Sequence, residues 1–290
     1  MKKMTPKTFC FLATAFCAVS LSSCKKNDTQ PTPGSDDVAS ANLVSKFSFE
    51  GDYSESKTGN TGTGTNTSLI TGMKGKAYQG SSNGFVSFAT TPAGLSDLQS
   101  FTTSMWIKTA KHTGGLQSLF CIPNTASYMG NLLVMIDPNP GTSDSMQLKV
   151  YFEKNVTPAI SWYGQLIDFY GEFRLPNMYG SWKQLAFSYD AATSKFAAYM
   201  DGNKLTLDEG MIDHYTDDPS SGGEPLGALS FANVSRFIIG GFQQHLGTPW
   251  TAPDPDMLTY TGAMDELRIY NKALTDTEVH TLYQTELSGK

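Results

Sequence analysis

From residue 42 onward the chain is written in short runs whose side chains alternate between apolar and polar, separated by Gly, Pro, Asn and Asp. That period of two marks half-buried strands. The clearest runs are Leu43–Phe49, Gly84–Ala89, Phe101–Thr109, Leu116–Ile122, Asn131–Ile136, Met146–Glu153, Trp182–Asp190, Lys195–Met200, Arg236–Gly241 and Ala263–Tyr270. Phe101, Thr103, Met105 and Ile107 share one face of their run; Leu185, Phe187 and Tyr189 share one face of theirs. Trp182–Asp190 and Lys195–Met200 read as a hairpin closed by Ala191–Ser194. Asp201-Gly202-Asn203 then supplies residues that tolerate positive φ, a strong turn signal.

Period-two alternation stops after Tyr270 and helical spacing takes over. Thr275 stands three residues before Glu278, the capping-box pattern that satisfies orphan amides at a helix start. Val279, Leu282 and Tyr283 then form one apolar stripe that can lie on a sheet. In the preceding strand Ala263, Asp265, Leu267 and Ile269 are in phase. Asp265 therefore falls on the apolar side, where a bare carboxylate is too costly to bury and has to be paired, hydrogen-bonded or on a metal. Three stretches, Asn155–Ser181, Leu207–Phe231 and Gln243–Thr259, are too long and polar for tight turns; loops of that length in a compact domain carry function or mobility. Residues 58–67 read as a mobile loop with no assignable chemistry.

The segment Met264-Asp265-Glu266-Leu267-Arg268-Ile269-Tyr270-Asn271-Lys272-Ala273-Leu274-Thr275, with Glu278, resembles the last strand and terminal helix of the laminin G-like, pentraxin-like branch of the concanavalin A-like lectin/glucanase superfamily. Two further segments resemble the same family in the expected order: Gly75-Lys76-Ala77-Tyr78 with Gly84-Phe85-Val86, and the hairpin WKQLAFSYDAATSKFAAYMDGNKL. The resemblance implies an all-β fold, a jelly-roll sandwich of two antiparallel sheets with a short C-terminal helix, over residues 42–290. It also implies a structural Ca²⁺ where first and last strands meet, on Asp265 and Glu50, with Asp52 a weaker candidate. Hard oxygen ligands suit that ion. Equally open is that Asp265 accepts backbone amides or Arg268 and binds no metal.

The N-terminus changes the picture of location rather than of fold. Lys2, Lys3 and Lys7 precede an apolar run, Phe9–Leu21, too short to span a bilayer comfortably. The run ends in Leu21-Ser22-Ser23-Cys24, which resembles a bacterial lipobox. The expectation is a signal peptide over residues 1–23 and a lipid on Cys24, the alternative being an ordinary signal peptide. Residues 24–41, rich in Pro, Ser, Thr and Asp, read as a flexible tether. Lys25 after the lipidated cysteine resembles outer-membrane sorting signals; facing the cell surface or the periplasm stays open.

Removing residues 1–23 takes away three Lys and no acid, leaving 18 basic against 27 acidic side chains, a net of −9. This excludes nucleic acid and anionic lipid surfaces as partners, beyond the anchor itself. It suits a neutral or a cationic glycan. Of the four cysteines only Cys121 remains in the body, within Leu119-Phe120-Cys121-Ile122, as a small buried hydrophobe.

A retaining glucanase of this superfamily needs two carboxylates on one strand about 5–5.5 Å apart. Its Glu-apolar-Asp-x-(x)-Glu pattern is missing from the sequence, and no metal-hydrolase motif, serine elbow or phosphate loop replaces it. His112, His214, His245 and His280 are scattered. Sugar rings pack on aromatic faces while planar polar groups fix their hydroxyls. The candidates for that work are Trp162, Tyr163, Tyr170 and Trp250, with Asp168, Arg174 and His245 as polar anchors. The expected function is a membrane-anchored, non-catalytic, lectin-like carbohydrate-binding domain. The alternatives are an adhesive module that binds protein, and a divergent hydrolase or lyase using Asp168 and Glu172.

Overall fold

The computed structural model describes Met1 and residues 34–156 and 161–289, with backbone alone at Ser161 and Trp162. Residues 33–290 form one compact unit. In chain order its strands are β1 (Leu43–Phe47), β2 (Thr63–Thr65), β3 (Ser68–Thr71), β4 (Lys76–Gln79), β5 (Phe85–Phe88), β6 (Phe101–Lys108), β7 (Leu116–Ile122) and β8 (Leu132–Ile136). They continue as β9 (Leu148–Val156), β10 (Ser161–Asp168), β11 (Lys183–Asp190), β12 (Lys195–Met200), β13 (Asn203–Lys204), β14 (Phe237–Ile239), β15 (Met257–Thr259) and β16 (Ala263–Tyr270). A single helical turn, α1 (Glu209–Ile212), and the terminal α2 (Asp276–Leu287) complete the regular structure together with short 3₁₀ turns.

The strands make two eight-stranded sheets. The first runs β13-β12-β11-β6-β16-β4-β3 with β1 on β16; the second runs β10-β9-β8-β7-β14-β5-β2 with β15 on β7. Pairing is antiparallel except for β15 with β7. This is the jelly-roll sandwich expected from the sequence. Phe101, Met105 and Ile107 of β6 and Leu185, Phe187 and Tyr189 of β11 face Phe120, Val134, Val150 and Phe152 of the second sheet in one apolar core. Each such side chain contributes about 1.5–3 kcal/mol by leaving water.

The final strand departs from simple alternation. Met264, Leu267 and Ile269 all reach the core, so the phase changes between 264 and 267. The pairing with β6 slips between Asp265 and Arg268, and Glu266 takes φ +46°. That bulge inserts one residue and corrects the expected face: Ala263 and Asp265 do not share a side with Leu267. Asp265 turns toward the β3–β4 turn instead. Outside the first sheet, α2 begins with the expected box: Thr275 Oγ1 accepts from Glu278 N, and Glu278 Oε2 accepts from Thr275 N. Val279 and Leu282 are fully buried there, and Tyr283 stacks on Trp106 at 5.5 Å.

Two polar stretches hold more structure than their composition signals. Within Asn155–Ser181 lies β10, an eight-residue strand along the edge of the second sheet. Within residues 58–67 lies β2, paired to β5. Residues 35–41, tether-like by composition, belong to the folded unit: Asp36 pairs with buried Arg268, and Val38 is buried with Leu282 and Val279. Residue 24 lies outside the described residues.

Candidate functional site

Strand β10 brings most of the expected sugar-binding residues to one edge. It pairs with β9 so that Asp168 sits opposite Lys149 and Leu166 opposite Tyr151. Gly164, Leu166 and Asp168 alternate onto the outer face, while Ile167 enters the core. A side chain at 164 would strike the Tyr151 ring, its Cβ falling 2.6 Å from the hydroxyl, which is why that position is glycine. Just beyond the strand a chain of hydrogen bonds forms. Gln147 Nε2 donates to Asp168 Oδ1 at 2.8 Å, and Arg174 Nη2 donates to Gln147 Oε1 at 2.7 Å. The Arg174 guanidinium lies 5.8 Å from the centre of the Tyr170 ring, which is 66 % exposed. Lys149 Nζ contacts both Asp137 and Asp168, the latter at 3.5 Å. The exposed Tyr170 ring therefore lies beside a guanidinium that is itself linked through an amide to a carboxylate.

The other candidates fall elsewhere. Tyr163, 37 % exposed, stands five residues up the same strand, opposite Lys154. The side chain of Trp162 lies outside the described residues. Trp250 and His245 belong to the loop that covers the outer face of the second sheet. Trp250 packs half-buried against the apolar cluster on that face, which includes Cys121, Leu133 and Phe242, and donates from Nε1 to Asn124 O at 3.1 Å. His245 Nδ1 accepts from Phe242 N at 3.2 Å and its ring packs on Phe85 and Phe242. Burial lowers its pKa. Both residues pack the loop in place. Beneath them Glu153 is buried and accepts from Asn124, Ser127 and Tyr151, pinning the loop 123–131 to the sheet. Burial raises its pKa despite those donors.

Two of the three residues expected to hold an ion, Asp265 and Glu50, lie at one turn. Asp265 Oδ2 accepts from Lys74 N at 2.9 Å and Oδ1 from Glu266 N at 2.8 Å. Glu50 Oε2 accepts from Lys76 N at 3.2 Å. Both carboxylates thus converge on the turn 72–75. Gly75, at φ +55°, passes so close to Glu50 that a Cβ would lie 2.1 Å from Oε2. Among the described residues neither acid is in an ion pair. Burial, with Glu266 and Glu50 nearby, pushes Asp265 up to about 7. Carboxylates are hard-oxygen donors of the kind Ca²⁺ takes, but both of these accept turn amides, and among the described residues no group of three or more His, Cys, Asp or Glu could hold a metal. Asp52 does not join them: it is exposed, and its Oδ1 accepts from Ser54 N. Arg268 does not reach Asp265 either: its guanidinium is taken up by Glu286, Glu266 and Asp36.

Sequence reasoning missed Gln147, Lys149 and Asp137. The signal was present: in Met146–Glu153 the alternation places Gln147, Lys149, Tyr151 and Glu153 together on the non-core face.

Two packed sheets closed by a last strand beside the first, with a helix outside, define the lectin and glucanase class of sandwich. The chain belongs to the concanavalin A-like lectin/glucanases superfamily, whose laminin G profile matches residues 80–280. It is similar to domain 4 of AbnA, a GH43 extracellular arabinanase from Geobacillus stearothermophilus, solved in complex with arabinotriose. That match has a TM-score of 0.52 and 22 % identity over 84 % of this chain and 98 % of that one. The binding domain of botulinum neurotoxin serotype G gives 0.53 and 12 %, over 84 % of this chain and 51 % of its own. The binding domain of botulinum neurotoxin DC, in complex with SialylT, gives 0.53 and 13 %, over 86 % and 52 %. The chain thus spans about half of each toxin domain. At these identities the likeness is one of fold. No curated protein matches the chain in sequence.

Proposed function

We propose that this sandwich is a non-catalytic carbohydrate-binding domain, carried on the bacterial envelope by a lipid on Cys24. The observation that carries the reading is the Asp168–Gln147–Arg174 hydrogen-bond chain beside the exposed Tyr170 ring. Sugars need an aromatic face for their C–H side and planar polar groups for their hydroxyls, and groups already held in place spare the entropy of ordering them on binding. Arabinotriose bound to one structural neighbour and SialylT bound to another support carbohydrate as the ligand class. A binding rather than cutting role is favoured by the acids themselves. Asp137 and Asp168 are both engaged by Lys149 in ion pairs.

The same reading gives Asp265, Glu50 and the turn 72–75 a structural Ca²⁺ that ties the first and last strands together. The ion would neutralise two facing carboxylates and takes no part in ligand chemistry. A glycan array and polysaccharide pull-down with residues 24–290 test the main claim. Binding lost in Tyr170→Ala and Arg174→Ala supports it; silence across neutral and charged panels sinks it.

Adhesion to protein is a second reading with one observation behind it. β10 is an open edge strand bearing exposed Tyr163 and Leu166, without the Lys or Pro that blunts such edges. A cell-surface partner recovered by crosslinking and insensitive to competing sugars would favour it.

A further inference from the structure

Beside β10, a cavity of about 400 Å³ opens between this edge strand and the segment Asp213–Asp217. Its walls are polar. Gln165 is fixed on both ends of its amide, with Oε1 2.9 Å from His214 Nδ1 and Nε2 donating to Tyr215 O at 3.1 Å. Asp213, Tyr215 and Asp217 line it as well, Asp213 in an ion pair with Lys195. An edge strand also leaves alternate N–H and C=O groups unpaired on its open side. Among the described residues no lysine or arginine lines the cavity. At about 3.3 Å per residue, Leu166 at its margin is about 7 Å along the strand from Asp168.

We propose that this cavity seats a second sugar unit of the glycan whose neighbour packs on Tyr170, and that it selects uncharged glycans over uronate- or sialate-bearing ones. The proposal rests on the carbohydrate reading and deepens it. The Asp217 carboxylate accepts a hydroxyl hydrogen from a neutral sugar and repels an anionic one; Lys195 already offsets Asp213, and among the described residues no Lys or Arg of the lining offsets Asp217. The body's net charge of −9 acts in the same direction at long range.

The test is calorimetric titration of residues 24–290 with matched pairs of oligosaccharides that differ only in a hexose or the corresponding uronic acid. Neutral members are expected to bind at least about tenfold more tightly, and the gap to narrow as salt is raised. Gln165→Ala should weaken the neutral members about tenfold. Asp217→Asn and Asp217→Lys, at an exposed position, should close the gap by admitting the acidic members. Tyr170→Ala should weaken both alike. Equal or tighter binding of the acidic members overturns the proposal. If Gln165→Ala and both Asp217 variants are silent while Tyr170→Ala abolishes binding, the cavity is not a subsite and the carbohydrate reading survives. If no oligosaccharide binds, both fall together.

Discussion

Arg268 Nε donates to Glu286 Oε1 at 2.7 Å, and neither side chain reaches solvent. The same guanidinium holds Glu266 and Asp36, while Trp106 Nε1 donates to Glu286 Oε2 at 2.7 Å. One buried cation therefore fastens the last strand, the terminal helix and the segment before β1. Removing it leaves buried Glu286 without a cation and Glu266 with Lys46 alone. Arg268→Ala should cost about 3–5 kcal/mol in urea unfolding. Replacing the group by apolar and neutral side chains, Arg268→Met with Glu286→Leu and Glu266→Gln, should recover most of that loss.

Much of this was readable beforehand, and the failures have physical causes. The bounds of β7, β12 and β16 and the capping box of α2 follow from alternation and from Thr275 with Glu278. The phase of β16 did not, because the bulge is set by a non-glycine residue, Glu266, at positive φ, which nothing local requires. Strand β10 was hidden because an edge strand buries little: of Gly164, Gln165, Leu166, Ile167 and Asp168 only Ile167 is buried. Asp168, Tyr170 and Arg174 were nominated by residue type and do come together. Trp250 and His245 were nominated the same way and pack a loop, since an aromatic suited to sugar is equally suited to a core.

The segment 34–41 reads as tether and behaves as part of the body. Asp36 alone should matter little: its own side chain is 63 % exposed, so solvent screens its pairs with Arg268 and Lys46 to about 0–1 kcal/mol. Val38 is different, being buried against α2. A protein started at residue 42 should be less stable than one started at residue 33 by about 2 kcal/mol or more, chiefly from lost apolar burial. Equal urea midpoints for the two would place the domain boundary at 42.

Stability should change with pH in a defined window. Burial raises Asp265 to about 7 and Glu286 to about 7. An acid raised on folding stabilises the protonated folded state, so that contribution is complete below the unfolded value near 4 and is lost as pH climbs through 7. His214, lowered by burial to about 4, has the opposite sense: its contribution is present above 6.5 and is lost as pH falls toward 4. Glu153, raised by burial, acts in the same sense as the two acids, and His112 and His245, lowered by burial, act with His214, so single variants separate the shares. Between pH 4 and 7 Asp265→Asn should remove a loss of stability with rising pH, and His214→Gln should remove a gain. Thermal melts across that range decide the signs; a slope unchanged by Asp265→Asn would show that this carboxylate is not raised.

Calcium should reverse the Asp265 share of that loss. If the ion binds at Asp265 and Glu50, a hundredfold excess over Kd stabilises by about 2.7 kcal/mol. For a domain of this size that is a rise in Tm of roughly 5–10 °C. Asp265→Ala should abolish the rise. Gly75→Ala should lower the starting Tm, because φ +55° strains any side chain and the Cβ would press on Glu50. It should also shrink the calcium response by pushing that carboxylate off the turn. Magnesium, which demands smaller octahedral geometry, should do little at the same concentration. A flat melting temperature with calcium, and no heat on titration, would leave Asp265 as a carboxylate held by the Lys74 and Glu266 amides alone.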